Sequence, residues 1–145
     1  MKESMFEQLM STAKLALESE DIPVAAIVID DAGKVAGVGF NTRNKEQNIA
    51  CHAEINAINQ AIKTTGNINL SGYKIISTLE PCEMCYGAIK QAKIKKINFI
   101  LSNAKFGINN IYSINDIDIK LIKVGTNQQE NEYQELLESF FKNKR

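Results

Sequence analysis

His52-Ala53-Glu54 and Pro81-Cys82-Glu83-Met84-Cys85 are the two stretches that decide how this chain reads, and His52 is its only histidine. One neutral imidazole and two thiolates, from His52, Cys82 and Cys85, supply three ligands of a tetrahedral zinc site. The fourth position is left to water, with a nearby carboxylate to move that water's protons. On a regular helix, residues two apart point to nearly opposite sides, so His52 and Glu54 converge only around a helix N-terminus. Cys82 and Cys85, three apart, share a face within the first turn of the following helix, and the metal then lies between two helix starts. Both starts present unpaired backbone N–H groups and partial positive charge, which favour thiolate over thiol. Two thiolates cancel the charge of Zn²⁺, yet a coordinated water is still acidic enough to yield a proton to a neighbouring base. Glu54 is the candidate base: it takes that proton, hands it to a ring nitrogen of a substrate, and later protonates a leaving amine. Such a shuttle fits replacement of an aromatic amino group by hydroxide.

Working outward, apolar residues at Met5, Phe6, Leu9, Met10, Ala13, Ala16 and Leu17 recur at helical spacing and predict a helix over 3–18. Val24 to Ile29 reads as a compact apolar strand, Asp30-Asp31-Ala32-Gly33 as a turn, and Lys34 to Phe40 as the hairpin partner. Asn41 to Ala50 is a polar loop, and Ile55, Ala57, Ile58, Ala61 and Ile62 mark a second helix ending near Lys63. Strands follow over 73–78, 97–101 and 117–124, with a helix over 82–92 opened by Pro81 and a closing amphipathic helix over 130–142. Helix, hairpin, then alternating helix and strand describes an α/β sandwich on a mixed sheet.

The 145 residues fit one domain, expected to span 1–145, and no repeat, low-complexity tract or Pro/Gly/Ser-rich linker divides them. Seventeen basic residues balance seventeen acidic ones, so net charge argues neither for nor against a nucleic-acid substrate. The first ten residues carry Glu3 and Glu7 and lack a secretory leader's basic start and apolar stretch. The run Val24–Ile29 is too short to cross a bilayer. A cytoplasmic protein with no membrane association is expected. Three cysteines, two of them spaced Cys-x-x-Cys, suit a reducing compartment and a metal or redox role better than a disulfide framework.

His-x-Glu followed by Pro-Cys-x-x-Cys is the signature of zinc-dependent nucleobase deaminases. Within that cytidine/deoxycytidylate deaminase superfamily the chain resembles the bacterial tRNA adenosine deaminases, from Ile22-Pro23-Val24 to its end. The strongest stretches are Cys51-His52-Ala53-Glu54-Ile55 and Thr78-Leu79-Glu80-Pro81-Cys82-Glu83-Met84-Cys85-Tyr86-Gly87-Ala88-Ile89. The resemblance implies a three-layer α/β/α cytidine-deaminase-like fold with a mixed five-stranded sheet flanked by helices, and one Zn²⁺ per subunit. It also implies conversion of adenosine to inosine at the wobble position of a tRNA anticodon stem-loop, by a homodimer whose active sites draw on both subunits. Asn41, at the family's interval before the metal histidine, resembles the asparagine that hydrogen-bonds the target adenine. Asn103-Ala104-Lys105-Phe106-Gly107 resembles the Asp-Ala-Lys-x-Gly loop beside the anticodon ribose and phosphates, so Asn103 and Lys105 are implied contacts. The terminal Phe140-Phe141-Lys142-Asn143-Lys144-Arg145 resembles the family's aromatic and basic tail, with Phe141 the implied RNA contact. The chain departs from the family at Asn103, usually aspartate, at Arg43-Asn44, usually a proline-containing loop, and at Cys51, usually a smaller residue.

An extruded base must be gripped once it leaves its stack. Asn41 offers a donor and an acceptor to a purine edge, while Val24, Leu79 and the backbone near Ala53 are expected to wall the ring. Seven lysines between Lys90 and Lys123, against Asp116 and Asp118, form a local basic excess expected to attract phosphates, with Lys105 and the terminal cluster foremost. An amide at Asn103 removes repulsion from phosphate and loses a strong acceptor for a ribose hydroxyl, which would relax discrimination between RNA and DNA. Two other readings stand beside the tRNA one. Guanine, cytosine and free-nucleoside deaminases share the zinc signature, and Cys51 joining the three ligands would make a closed, non-catalytic zinc module.

Overall fold

Val24–Ile29 is apolar at every position, and in the computed structural model, which describes residues 1–111 and 119–144, it supplies β1 (Ala25–Ile29), buried throughout. A strand apolar on both faces needs cover on both. Ala26 and Val28 enter one hydrophobic cluster, while Ala25, Ile27 and Ile29 enter another on the opposite face. The chain reverses at Asp30, whose Oδ1 accepts the amides of Ala32 and Lys34, and returns as β2 (Val35–Phe40), antiparallel to β1. On the other side of β1 lie β3 (Lys74–Leu79), antiparallel to it, then β4 (Lys96–Leu101) and β5 (Lys120–Lys123), both parallel to their neighbours. The order β2-β1-β3-β4-β5 is the mixed five-stranded sheet expected. Ile117 and Asp118, expected to open the fifth strand, lie outside the described residues.

Six α-helices are described: α1 (Glu3–Lys14), α2 (Arg43–Glu46), α3 (Ala53–Thr65), α4 (Glu83–Gln91), α5 (Ile108–Ile111) and α6 (Asn127–Asn143). Ala57, Ile58 and Ala61 of α3 and Ile89 of α4 cover one face of the sheet. Phe6, Leu9, Met10 and Ala13 of α1 cover the other together with Tyr133 of α6, which completes the three layers. The structure moves two helix boundaries from where periodicity put them and adds one short helix to an expected loop. The first helix is α-helical only to Lys14 and tightens into a 3₁₀ turn over Leu15–Ser19, closed by Glu20 at φ 57°. The last begins at Asn127 rather than Glu130, because the Thr126 hydroxyl accepts the amide of Gln129 while the Gln129 side chain accepts that of Thr126. The polar loop 41–50 contains α2, whose start is tied down by the buried Asp21 carboxylate accepting from the Asn44 amide at 2.8 Å.

β2 packs closely on α3 where small residues meet, and the Gln60 and Asn56 side chains of α3 hydrogen-bond the Val38 amide and the Phe40 carbonyl of β2. Gly37 and Gly39 face Ala53, Ala57 and Ala61, and a Cβ on Gly39 would collide with the carbonyl oxygen of Ala53 and the amide nitrogen of Ala57. That close approach fixes where α3 begins. Since β2 ends at Phe40 and β3 at Leu79, and α3 and α4 start just beyond, both helix N-termini open at the same end of the sheet. Gly39→Ala is expected to cost roughly 1–3 kcal/mol of stability by overpacking this seam. Gly87→Ala, where a Cβ meets nothing within 4 Å, should be neutral or slightly stabilising for α4. Thermal unfolding of the two variants side by side measures both.

Candidate functional site

His52 is the N-cap of α3, with extended backbone at φ −83° and ψ 157°, and Cys82 is the N-cap of α4 at φ −77° and ψ 175°. Glu54 and Cys85 then fall in the first turns of their helices. The His52 imidazole turns Nδ1 toward both sulfurs, 3.7 Å from Cys82 Sγ and 3.6 Å from Cys85 Sγ. The three donor atoms lie within 4.8 Å of one another. A tetrahedral ion about 2.0–2.1 Å from nitrogen and about 2.3 Å from sulfur separates those atoms by about 3.6 Å, so the donor set fits zinc as it stands. Among the described residues this is the one cluster of histidine, cysteine or acidic donors with metal-binding spacing. Cys51 is not part of it and opens onto a separate surface depression beside Phe40 and Gln60. The closed four-ligand module therefore finds no fourth sulfur here.

The protons of the cluster are shared. Cys85 donates a hydrogen bond to Cys82, which with the histidine holds the Cys82 thiol down to about 4. The same bond and burial push the Cys85 thiol up. Hydrogen bonding to Cys82 raises the His52 imidazole, and burial raises the Glu54 carboxyl, which also hydrogen-bonds Cys85. A divalent cation among these groups would take over the role of the shared protons.

The site floors a cleft of ≈ 670 Å³. Of the residues expected to contact substrate, Val24, Asn41, Leu79, Asn103 and Phe141 line it with His52, Glu54 and Cys82. Ala53 is fully buried, and Lys105 is exposed without reaching the lining. Asn41 has structural work: its Oδ1 accepts the Ala53 amide at 2.7 Å and its Nδ2 donates to the Ile22 carbonyl at 3.0 Å. It thus ties the entry to β1 and the exit of β2 to the first amide of α3. One Nδ2 hydrogen and one carbonyl lone pair are left for a ligand. At the other rim Phe140 and Phe141 pack edge to face at 5.2 Å, and both line the cleft. The aromatic that anchors α6 inward is Tyr133, fully buried, with its hydroxyl donating to the Pro23 carbonyl at 2.9 Å.

Glu80 was not anticipated from the sequence. Its buried carboxylate accepts the amide of Asn103 at Oε1 (3.2 Å) and that of Asn109 at Oε2 (2.9 Å), so it clamps both ends of the loop beyond β4. Gly107 within that loop pairs with Cys82, and a Cβ there would come 2.6 Å from Glu80 Oε2. A single acidic residue between a strand and a Pro-Cys pair carries no periodic or spacing signal. Only the fold reveals what it holds.

The expected basic surface is also redistributed. Lys74, Lys96 and Lys120 are register neighbours at the starts of β3, β4 and β5, the end of the sheet away from Leu79 and the cleft. Lys63 and Lys90, in the last turns of α3 and α4, lie at that same far end. Five residues of strand put this pole about 17 Å from the site. Among the described residues the cations lining the cleft are Arg43 and Lys144, and Lys144 is 3.6 Å from Glu20. Asp116 and Asp118, which entered the local charge balance, lie outside the described residues.

A family model described as MafB19-like deaminase matches residues 1–145. A tRNA-specific adenosine deaminase of Rickettsia bellii is 35% identical over 101 residues, 69% of this chain and 70% of that protein. A tRNA(Ile)-lysidine synthase of Deinococcus radiodurans is 36% identical over 100 residues, and the match spans only 17% of its length. A solved chain from work on A-to-I editing by tRNA:A34 deaminases at the wobble position superposes with a TM-score of 0.79. It is 28% identical, and the match covers 92% of this chain and 99% of that one.

Metal content separates the donor assignments. Purified His52→Ala and Cys82→Ala are expected to lose stoichiometric zinc by elemental analysis, whereas Cys51→Ala should keep it.

Proposed function

This chain belongs to the MafB19-like deaminase family, and from that premise we propose that it is a zinc-dependent hydrolase converting adenosine to inosine at the wobble position of a tRNA anticodon. The observation that carries the reading is the placement of Glu54, a buried carboxyl in hydrogen-bond contact with Cys85, at the floor of an open cleft beside a zinc-spaced donor set. The similarity to tRNA adenosine deaminases in sequence and backbone supports the choice of substrate.

In this reading His52 Nδ1 and the sulfurs of Cys82 and Cys85 hold Zn²⁺, which when bound supplies the Lewis acidity that makes water a nucleophile near neutral pH. Glu54 is placed to take a proton from an attacking water as the water's oxygen bonds to C6 of the adenine, and to pass that proton to N1. It then takes the second proton of the former water from the C6 hydroxyl and delivers it to the exocyclic amine as the C6–N bond breaks, so that ammonia leaves and a 6-oxo purine remains. Burial favours the proton-carrying form of Glu54, which suits a group that must hold a proton between two transfers. Asn41 keeps α3, and with it His52 and Glu54, in register with β1 and β2, and offers its remaining donor and acceptor to the purine edge. Val24 and Leu79 wall the ring, with Ala53 behind them. Asn103, Lys105 and Phe141 meet the surrounding nucleotides. The reading includes a homodimer acting in the cytoplasm, and among the described residues no helix is long and apolar enough to cross a membrane.

An anticodon stem-loop with adenosine at the wobble position, assayed beside guanine, cytidine and free adenosine, tests the assignment. Inosine is expected in the hairpin, and turnover confined to the small molecules would replace the tRNA reading with a free-base or nucleoside deaminase. Glu54→Gln should retain zinc and melting temperature while losing roughly a hundred- to ten-thousandfold in rate.

A further inference from the structure

Exposed apolar side chains are not spread evenly over this molecule. Among the described residues nine large hydrophobics are exposed, and four of them, Ile22, Ile49, Phe106 and Phe141, line the one cleft that holds the candidate site. They come from four separate parts of the chain: the approach to β1, the loop before α3, the loop after β4, and the end of α6. Isolated exposed apolar residues need no explanation, but convergence on one rim does.

Phe106 is the most specific of the four. Its side chain is 63% exposed and belongs to neither hydrophobic cluster, so it contributes nothing to the core. Its backbone is nonetheless held from several directions. The Phe106 amide donates to Asn103 Oδ1 at 3.1 Å, and the Gly107 amide donates to the Asn103 carbonyl at 3.0 Å. The Ile108 amide donates to the Pro81 carbonyl at 3.1 Å, and Glu80 clamps Asn103 and Asn109 on either side. A rigid loop that presents an aromatic face to water beside a base-sized site has the construction of a stacking platform, its ordering cost already met in the free protein.

We propose that Phe106 stacks on the nucleobase adjacent to the target base, so that the cleft recognises a segment of single-stranded nucleic acid rather than a free base or nucleoside. The inference rests on the deaminase reading of the cleft and deepens it. When the target base is drawn to the floor, its neighbours lose a stacking partner at the rim, and an aromatic face there restores one. Every base has a π-face, so the contact adds affinity with little sequence preference.

Dissociation constants of the zinc-loaded protein test this, using a wobble-adenosine anticodon hairpin and two versions with an abasic site immediately 5′ or 3′ of that adenosine. Phe106→Ala is expected to weaken binding of the intact hairpin roughly ten- to a hundredfold, and Phe106→Trp to restore it. One of the two abasic hairpins should lose a similar factor with the unaltered protein and little or none with Phe106→Ala. Equal affinity of the unaltered protein and Phe106→Ala for the intact hairpin would overturn the proposal. So would abasic penalties that persist undiminished in the variant. Zinc content and melting temperature verify that the variant loop leaves the fold intact. Because these constants need no turnover, they judge the platform even if the hairpin is never deaminated, an outcome that would count against the proposed reaction alone.

Discussion

Two helices begin at the same place, and the rest of the molecule is arranged around that coincidence. An N-cap residue sits in extended backbone with its side chain free to leave the helix axis, while the amides behind it lack intrahelical partners. Placing His52 and Cys82 at two such caps brings a nitrogen and a sulfur within 3.7 Å without asking either helix to bend. The first turns then add Glu54 and Cys85 from behind. The cost is positional: α3 must start at one height above the sheet and no other. Its close glycine-to-alanine contact with β2, the Asn56 and Gln60 bonds to the β2 backbone, and the Asn41 bond to its first amide set that height.

What the sequence disclosed and what it withheld divide along a physical line. His52, Glu54, Cys82 and Cys85 were legible because ligand chemistry restricts residue type, and because helix geometry restricts which spacings converge. The strands were legible from runs such as Val24–Ile29, whose fully apolar character demanded cover on both faces. Glu80, by contrast, is one carboxylate among many in the chain, and its importance arises from where the loop 103–109 returns. The capping of α6 at Thr126 was present as a Thr-x-x-Gln pair, a signal masked by the polar residues that follow it.

The lysines teach a similar lesson about counting charge along a chain. Lys90, Lys93, Lys95 and Lys96 are close in sequence to the metal-bearing helix, but α4 carries the chain away from the site before β4 brings it back. Proximity in sequence to a site on a helix N-terminus means distance in space once the helix has run its length. Phe106 shows the reverse. It lies more than twenty residues beyond Cys82, yet Gly107 beside it pairs directly with Cys82.

A chain whose formal net charge is zero thus carries a pronounced electrical asymmetry, with a row of ammonium groups at the pole opposite its open cleft. Over about 17 Å, and with ionic shielding that halves such fields within several ångströms in saline, that row cannot draw a polyanion into the cleft. In dilute salt it would capture one at the wrong end. Attraction at the cleft itself falls instead, among the described residues, to Arg43 and Lys144 at its lining, beside the non-polar collar around the mouth.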